Sequence, residues 1–288
     1  MNNCRLCNGE INEIYAGQIR AGSFGKKTDE SYNVLQCKNC EAAWLDPFPT
    51  IDYQNSDYRM DYTGSADSED YIAIFDHEQT PRINRIGIEK FRDKVVADLG
   101  CGGGSFLDAI KGVAKKTIAI EPYTGYHESL KRRGHHVYSY TKSIEEEKVD
   151  IVISFGVIEH TDDPVTYLKD AFSILKKGGE IYLETDNLND FLMKADIKEF
   201  KEFFYRTAHN WYFNNNSLTE LFNNVGFNNL KPGFRHGYDL SNTLCWLRDR
   251  KPTGLNKIDY ISNVCDKVWR DFLEQNEFAE LLHFSATK

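Results

Sequence analysis

Three sets of residues in this 288-residue chain have side chains and spacing suited to chemistry. The first is Cys4-x-x-Cys7 with Cys37-x-x-Cys40. Each pair can occupy one turn, so four thiolates can converge tetrahedrally on zinc; with every position taken by protein, such a metal is structural rather than catalytic. A redox pair and coincidental thiols are the competing readings. The second set is the run Val95-Val96-Ala97-Asp98-Leu99-Gly100-Cys101-Gly102-Gly103-Gly104, with Glu121 closing the next β-branched stretch. Glycines at 100, 102 and 104 clear side chains from a tight turn where a ligand must touch backbone. A strand-turn-helix of this kind holds a nucleotide-like ligand at the carboxyl edge of a sheet. The third set is two histidines, His160 shortly after a hydrophobic strand pattern and His209 in an aromatic segment, either of which could act as base toward an acceptor proton.

Those residues need elements to hold them. Strands are expected at residues 95–97, 117–120, 136–138, 150–154 and 180–183, with helices between them at 106–112, 126–133 and 164–176. That alternation predicts a parallel sheet wrapped by helices on both faces. Farther along, the pattern predicts a helix over 217–225 with Ser217 as N-cap and Gly226 as its stop. Strands over 227–234 and 242–247 and an amphipathic helical stretch over 258–284 follow. Ahead of the sheet, 71–91 reads as helical with an interruption near Pro81. The chain thus divides into a zinc-binding module (1–50), a tyrosine-rich connector and helix (51–90), the core (91–250) and a C-terminal helical extension (251–288).

The turn separates two ligand classes. A dinucleotide pattern, G-x-G-x-x-G/A, wants a small residue where this chain is degraded to Ser105. Asp98 puts negative charge beside the turn, which suits the ammonium and sulfonium of S-adenosylmethionine (SAM) and not a pyrophosphate. Glu121 can accept both hydroxyl protons of an adenosine ribose, which fits either ligand. In their order and spacing, VADLGCGGG, IAIEP, VDIVISFGVIEHTDDP and LKKGGEIYLET resemble class I SAM-dependent methyltransferases over about residues 90–235. The resemblance implies a seven-stranded, mostly parallel, Rossmann-like α/β sheet with its final strand antiparallel. It implies SAM as cofactor, with Gly100, Cys101, Gly102 and Gly104 against the methionine half and Asp98 serving the amino group. Glu121 would hold the ribose, Phe155 and Gly156 would flank the methyl, and Ser143 would lie near the adenine.

The segments CRLC, YNVLQCKNC and WLDPFP, followed by YRMDYTGS, resemble the zinc-binding N-terminal part of methyltransferases acting on nucleotide-linked sugars, especially sugar C-methyltransferases. That implies structural Zn2+ on Cys4, Cys7, Cys37 and Cys40, and places Tyr58 and Tyr62 at the substrate pocket. His209-x-x-Tyr212-Phe213 resembles the segment in which a Glu-His pair acts beside the substrate. Here the Glu position is Ala208, which favours oxygen methylation assisted by His209 over carbon methylation. His160 competes for the catalytic role, Tyr212 belongs to the same expected pocket, and Arg206 could meet a substrate phosphate or carboxylate. The additional C-terminal domain of those enzymes has no counterpart among the expected elements.

Composition narrows the partners. With 44 acidic against 35 basic residues the net charge is −9, which disfavours a phosphate backbone as partner. Residues 1–50 hold five basic against six acidic side chains, so the cysteine module is no electrostatic funnel for nucleic acid. The chain has no apolar run long enough for a membrane span and no basic-then-apolar leader, and seven cysteines, an odd number, suit a reducing compartment. The expectation is a cytoplasmic SAM-dependent methyltransferase acting on a small molecule, a sugar as nucleotide conjugate or surface-glycan unit, with homo-oligomerisation left open. An rRNA or tRNA methyltransferase is the rival enzyme, and a non-catalytic scaffold of the same fold is the rival outside enzymes.

Overall fold

The computed structural model describes residues 3–22, 25–144, 148–254 and 256–288. Three short strands, β1 (Ile11–Gly17), β2 (Tyr32–Cys37) and β3 (Ala43–Asp46), form an antiparallel meander with the cysteine pairs at its turns. The connector then folds as α1 (Asp57–Thr63), α2 (Ser68–Phe75) and α3 (Gln79–Ile86). The interruption expected near Pro81 in the helical stretch 71–91 falls instead at residues 76–78. Asp67 caps α2 through Glu69 N–H, a 3-10 turn (Asp76–Glu78) follows, and Pro81 falls in the first turn of α3, where its missing N–H costs nothing.

Five parallel strands come next with their helices: β4 (Val95–Leu99), α4 (Ser105–Ile110), β5 (Lys116–Ile120), α5 (His127–Arg132), β6 (His136–Tyr138), β7 (Val149–Phe155), α6 (Pro164–Ile174) and β8 (Leu175–Asp186). Residues 151–154 of β7 are all buried, as a strand covered on both faces requires. After β8 come α7 (Phe191–Lys194), α8 (Lys198–Phe204), β9 (Trp211–Tyr212), α9 (Asn215–Val225), β10 (Asn228–Arg235), α10 (Leu240–Asp249), α11 (Asn263–Gln275) and β11 (Leu281–Thr287). The large sheet has the order β10-β11-β8-β7-β4-β5-β6, and β11 is antiparallel to both its neighbours. The seven-stranded, mostly parallel α/β architecture and its small N-terminal sheet stand as expected.

Three local expectations are corrected. Residues 242–247 are helix, not strand: Asp239 caps α10 through Asn242 N–H, and Asn242, Thr243, Cys245 and Trp246 are buried at helical rather than alternating spacing. Of the stretch 258–284, only Asn263–Gln275 is helical within a described element, and the chain ends in a strand whose residues alternate between buried and half-buried. The N-cap of α9 is Asn214, with Ser217 as its reciprocal partner at N3, so the capping box begins three residues earlier than its Ser/Glu pattern suggested.

One pairing ties the segment after β8 to the small sheet. Strand β9 adds to the edge of the small sheet, with Ala43 opposite Tyr212 and Trp44 opposite Trp211. Backbone bonds from Leu45 N to Asn210 O, Arg20 N to Tyr205 O and Thr207 N to Arg20 O, each 3.0 Å, hold the rest of this segment to the cysteine module. His209 lies in the middle of it.

Candidate active site

Strand β4 lies between β5 and β7, so the chain leaves it first to one side and then returns on the other; ligands enter such sheets at the carboxyl ends beside that reversal. A cavity of about 1580 Å³ opens there. Its walls include Asp98, Gly100, Cys101, Gly102, Glu121, Phe155 and Gly156 on one side and His160, Asp186, Arg206 and His209 on the other.

Residues on the first side could hold a SAM donor. Gly100 has φ +70°, and a Cβ there would meet Val157 at 2.7 Å; Gly102 has φ +53° and would drive a Cβ into Tyr71. Gly104 lies off the cavity wall. Its φ is +85°, and its missing side chain makes room for Leu130, so it serves packing. Burial pushes the Asp98 carboxyl up to about 8 against the opposing pull of Arg82, with Glu121 adding to the rise. Glu121 already holds three donors: Arg59 Nη2 at 2.7 Å and Tyr123 N at 2.8 Å on Oε1, and Gly102 N at 2.9 Å on Oε2. Burial raises its carboxyl, and Arg59 opposes that rise. Residues 139–141 line the cavity where an adenine contact was expected, whereas Ser143 itself is exposed and off the wall.

On the second side the two histidines meet. Their rings lie 4.6 Å apart and nearly perpendicular. His160 donates from Nδ1 to Ala208 O at 2.5 Å, and the Tyr53 hydroxyl donates to the same carbonyl at 2.8 Å. His209 is 2% exposed; Arg206 Nε donates to its Nδ1 at 3.2 Å, and Asp186 Oδ2 lies 3.4 Å from that nitrogen. Arg206 also pairs with Asp186. Burial holds His160 down to about 4 and His209 well below the ordinary imidazole value, with Arg206 pressing both the same way, so both rings are neutral at pH 7. The carboxylate that the sequence lacks at position 208 is thus present in space as Asp186, at the end of β8.

Tyr58 lines the cavity and packs edge-on against Tyr53 at 4.7 Å and His160 at 6.1 Å. The side chain of Tyr62 lies outside the described residues. Tyr212 is buried behind the wall, where its hydroxyl accepts from Arg206 N at 2.9 Å and its ring lies 6.0 Å from that of His209. Sequence reasoning missed Tyr53, Arg59, Asp186 and Glu184. Glu184 anchors a buried cluster with Arg82 (2.6 Å), His283 (3.2 Å) and Arg235 (3.3 Å). Burial alone would raise this carboxyl, but Arg82, His283 and Arg235 together hold it at about 2. Asp186 and Glu184 could have been found as the acidic residues closing a strand at its ligand edge.

The four module thiols also converge. Cys4 and Cys40 Sγ are 3.7 Å apart, Cys7 and Cys37 Sγ are 3.4 Å apart, and all four lie within 4.8 Å of one another. Zinc bonded to sulfur at ~2.3 Å in a tetrahedron spaces the sulfurs roughly 3.8 Å apart. Backbone N–H groups of Leu6, Asn39 and Cys40 point at Cys4 or Cys37 sulfur at 3.3–3.4 Å, as they would toward metal-bound thiolates. The set could hold a zinc ion.

The sheet order and the cavity at its reversal define a class I methyltransferase fold. Residues 71–231, more than half of the chain, match the family described as "Methyltransferase domain". The chain belongs to that family and carries a SAM-dependent methyltransferase domain. Among curated proteins it is similar to tRNA U34 carboxymethyltransferases. The Sulfurovum sp. protein is 33% identical over 104 residues, covering 33% of this chain and 35% of the relative. The Campylobacter fetus protein is 29% identical over 125 residues, covering 39% and 44%. The match thus spans less than half the length of those relatives. Among solved structures, a Thermotoga maritima SAM-dependent methyltransferase described as a possible histamine N-methyltransferase superposes with TM-score 0.50 at 21% identity, covering 76% of this chain and 95% of that one. Haemonchus contortus phosphoethanolamine N-methyltransferase 2 does so with TM-score 0.50 at 15% identity, covering 85% and 62%. Both likenesses concern the fold alone. No described helix is long and apolar enough to cross a membrane.

Proposed function

We propose that this methyltransferase alkylates a hydroxyl of a small polar acceptor, a sugar presented as a nucleotide conjugate or as a surface-glycan unit. One observation carries the proposal: the paired imidazoles of His160 and His209 stand in the same cavity as the donor-side residues, with Asp186 behind His209. SAM, when bound, supplies an already activated methyl carbon, so the chain's main work is alignment, worth up to about 7–11 kcal/mol. Asp98 faces the donor's amino group, Gly100 and Gly102 its methionine half, and Glu121 its ribose, sharing that carboxylate with Arg59. His209, oriented by Asp186 and Arg206, activates the acceptor hydroxyl, and His160 supports it from Ala208 O. Tyr58 and Arg206 contact the acceptor. Aromatic Phe200, Phe203 and Trp246, which line the cavity, suit a sugar face. Zinc on the four cysteines fixes the module that presents His209, and the core runs on through β11 instead of ending near residue 250.

The relatives favour a second acceptor, tRNA. The two separate in one assay: transfer of labelled methyl from SAM to a panel of nucleotide sugars and to bulk tRNA, at low and high salt. The proposal expects label on a sugar, insensitive to salt. Label on tRNA that falls steeply with salt would overturn it.

A further inference from the structure

We propose that Glu159, His160 and His209 bind a divalent transition-metal ion at the acceptor side of the cavity. A carboxylate oxygen of Glu159 and one ring nitrogen of each histidine lie within 4.8 Å of one another, and all three residues line the cavity. Ligand atoms bonded to one ion at ~2.0–2.1 Å sit roughly 3–3.5 Å apart, so binding would draw these three side chains closer together. Glu159 is 3% exposed, and its Oε2 is buried with no hydrogen-bond partner, an arrangement that costs free energy unless something positive is meant to sit there.

The surrounding groups orient the ligands as metal sites require. Nδ1 of His160 is committed to Ala208 O, which leaves Nε2 as its ligating atom. Nδ1 of His209 accepts from Arg206 Nε at 3.2 Å and lies 3.4 Å from Asp186 Oδ2; an ion on Nε2 would require the ring proton to move to Nδ1, toward Asp186, with Arg206 Nε giving up that contact, which yields a carboxylate-histidine-metal arrangement. The Arg206 guanidinium would repel an ion, but it is paired with Asp186. A cavity-facing Gly156 leaves room beside the carboxylate, since a Cβ there would come no nearer than 3.7 Å to Glu159 Oε1. Two histidines and one carboxylate with coordination positions left open form a catalytic donor set, unlike the closed four-cysteine set.

The consequence deepens the oxygen-acceptor reading and rests on it. In that arrangement His209 would serve as a ligand and not as the base: the ion would hold the acceptor hydroxyl and make it acidic, its proton passing to water. The oxygen's electron pair then forms the new O–CH3 bond while the S–CH3 pair stays on sulfur.

The test is metal stoichiometry in the full chain, stripped with a chelator, reloaded with Co2+ and analysed for metal content and absorption, beside calorimetry with SAM. Two equivalents per chain are expected in the unaltered protein. In Glu159→Gln one equivalent should remain, carrying thiolate-to-cobalt charge-transfer absorption, and SAM should still bind. A single thiolate-type equivalent in the unaltered protein, or two in Glu159→Gln, would overturn the site. Those results with normal SAM binding leave the methyltransferase reading standing, whereas two equivalents without any SAM binding would support the ion and remove the proposed reaction.

Discussion

His209→Ala is expected to lower turnover by roughly 10²–10⁴ while SAM affinity changes little. The expectation follows from where the ring sits. His209 lines the acceptor side of the cavity, whereas the residues proposed to hold the donor, Asp98, the glycines and Glu121, stand at the ends of β4 and β5. Removing the ring deletes the group facing the acceptor and leaves the donor side untouched. Asp186→Asn should reproduce part of the loss, because it keeps the shape but weakens the partner 3.4 Å from Nδ1. Equilibrium binding and single-turnover transfer measure the two halves separately. Turnover within a few-fold of the unaltered enzyme, or a collapse of SAM binding, would remove His209 from the proposed role.

The second large effect is expected from Cys37→Ser. A structural zinc contributes about 10–16 kcal/mol in small zinc modules, comparable to the whole stability of many domains, about 5–15 kcal/mol. Cys37 is 1% exposed, and its sulfur accepts the N–H groups of Asn39 and Cys40. Losing it should release the turn at the end of β2, lower the thermal transition of the module and cut turnover by at least ~10², because β3 holds β9 and hence the His209 segment. SAM affinity should again survive, since the donor-side residues belong to the other sheet. Zinc release followed by a chromogenic chelator, alongside transfer rates, checks both parts; full turnover after zinc loss would show that the module does not position the site.

Much of this was legible in the chain because it is local. The β-branched runs at β4, β5 and β7, the glycines whose positive φ the turn needs, and the two Cys-x-x-Cys pairs each declare themselves within a few residues. What stayed hidden is what long-range packing decides. Residues 242–247 have strand-like composition, yet an Asp239 cap and burial along one side make them helix. Strand β11 lies in a stretch that looks amphipathic and helical, and only its insertion between β10 and β8 defines it. The Asp186–His209 and Arg59–Glu121 pairs join residues far apart in the chain, so no spacing rule could connect them. The missing Glu at position 208 weighed against a carboxylate-assisted histidine, and the fold supplies that carboxylate from another strand.

Asp98 gives the most direct test of the central claim that the carboxyl edge of this sheet receives SAM. With its carboxyl pushed up to about 8, Asp98 keeps its proton between about pH 4 and pH 8 in the free protein. A cation settling beside it favours the carboxylate, so the proton must leave on binding. Titrating SAM calorimetrically at pH 7 in two buffers of different ionisation enthalpy should therefore give binding heats that differ by a released proton, and Asp98→Asn should bind more weakly with no buffer dependence. No heat of binding in either buffer, or proton release unchanged in Asp98→Asn, would contradict the account.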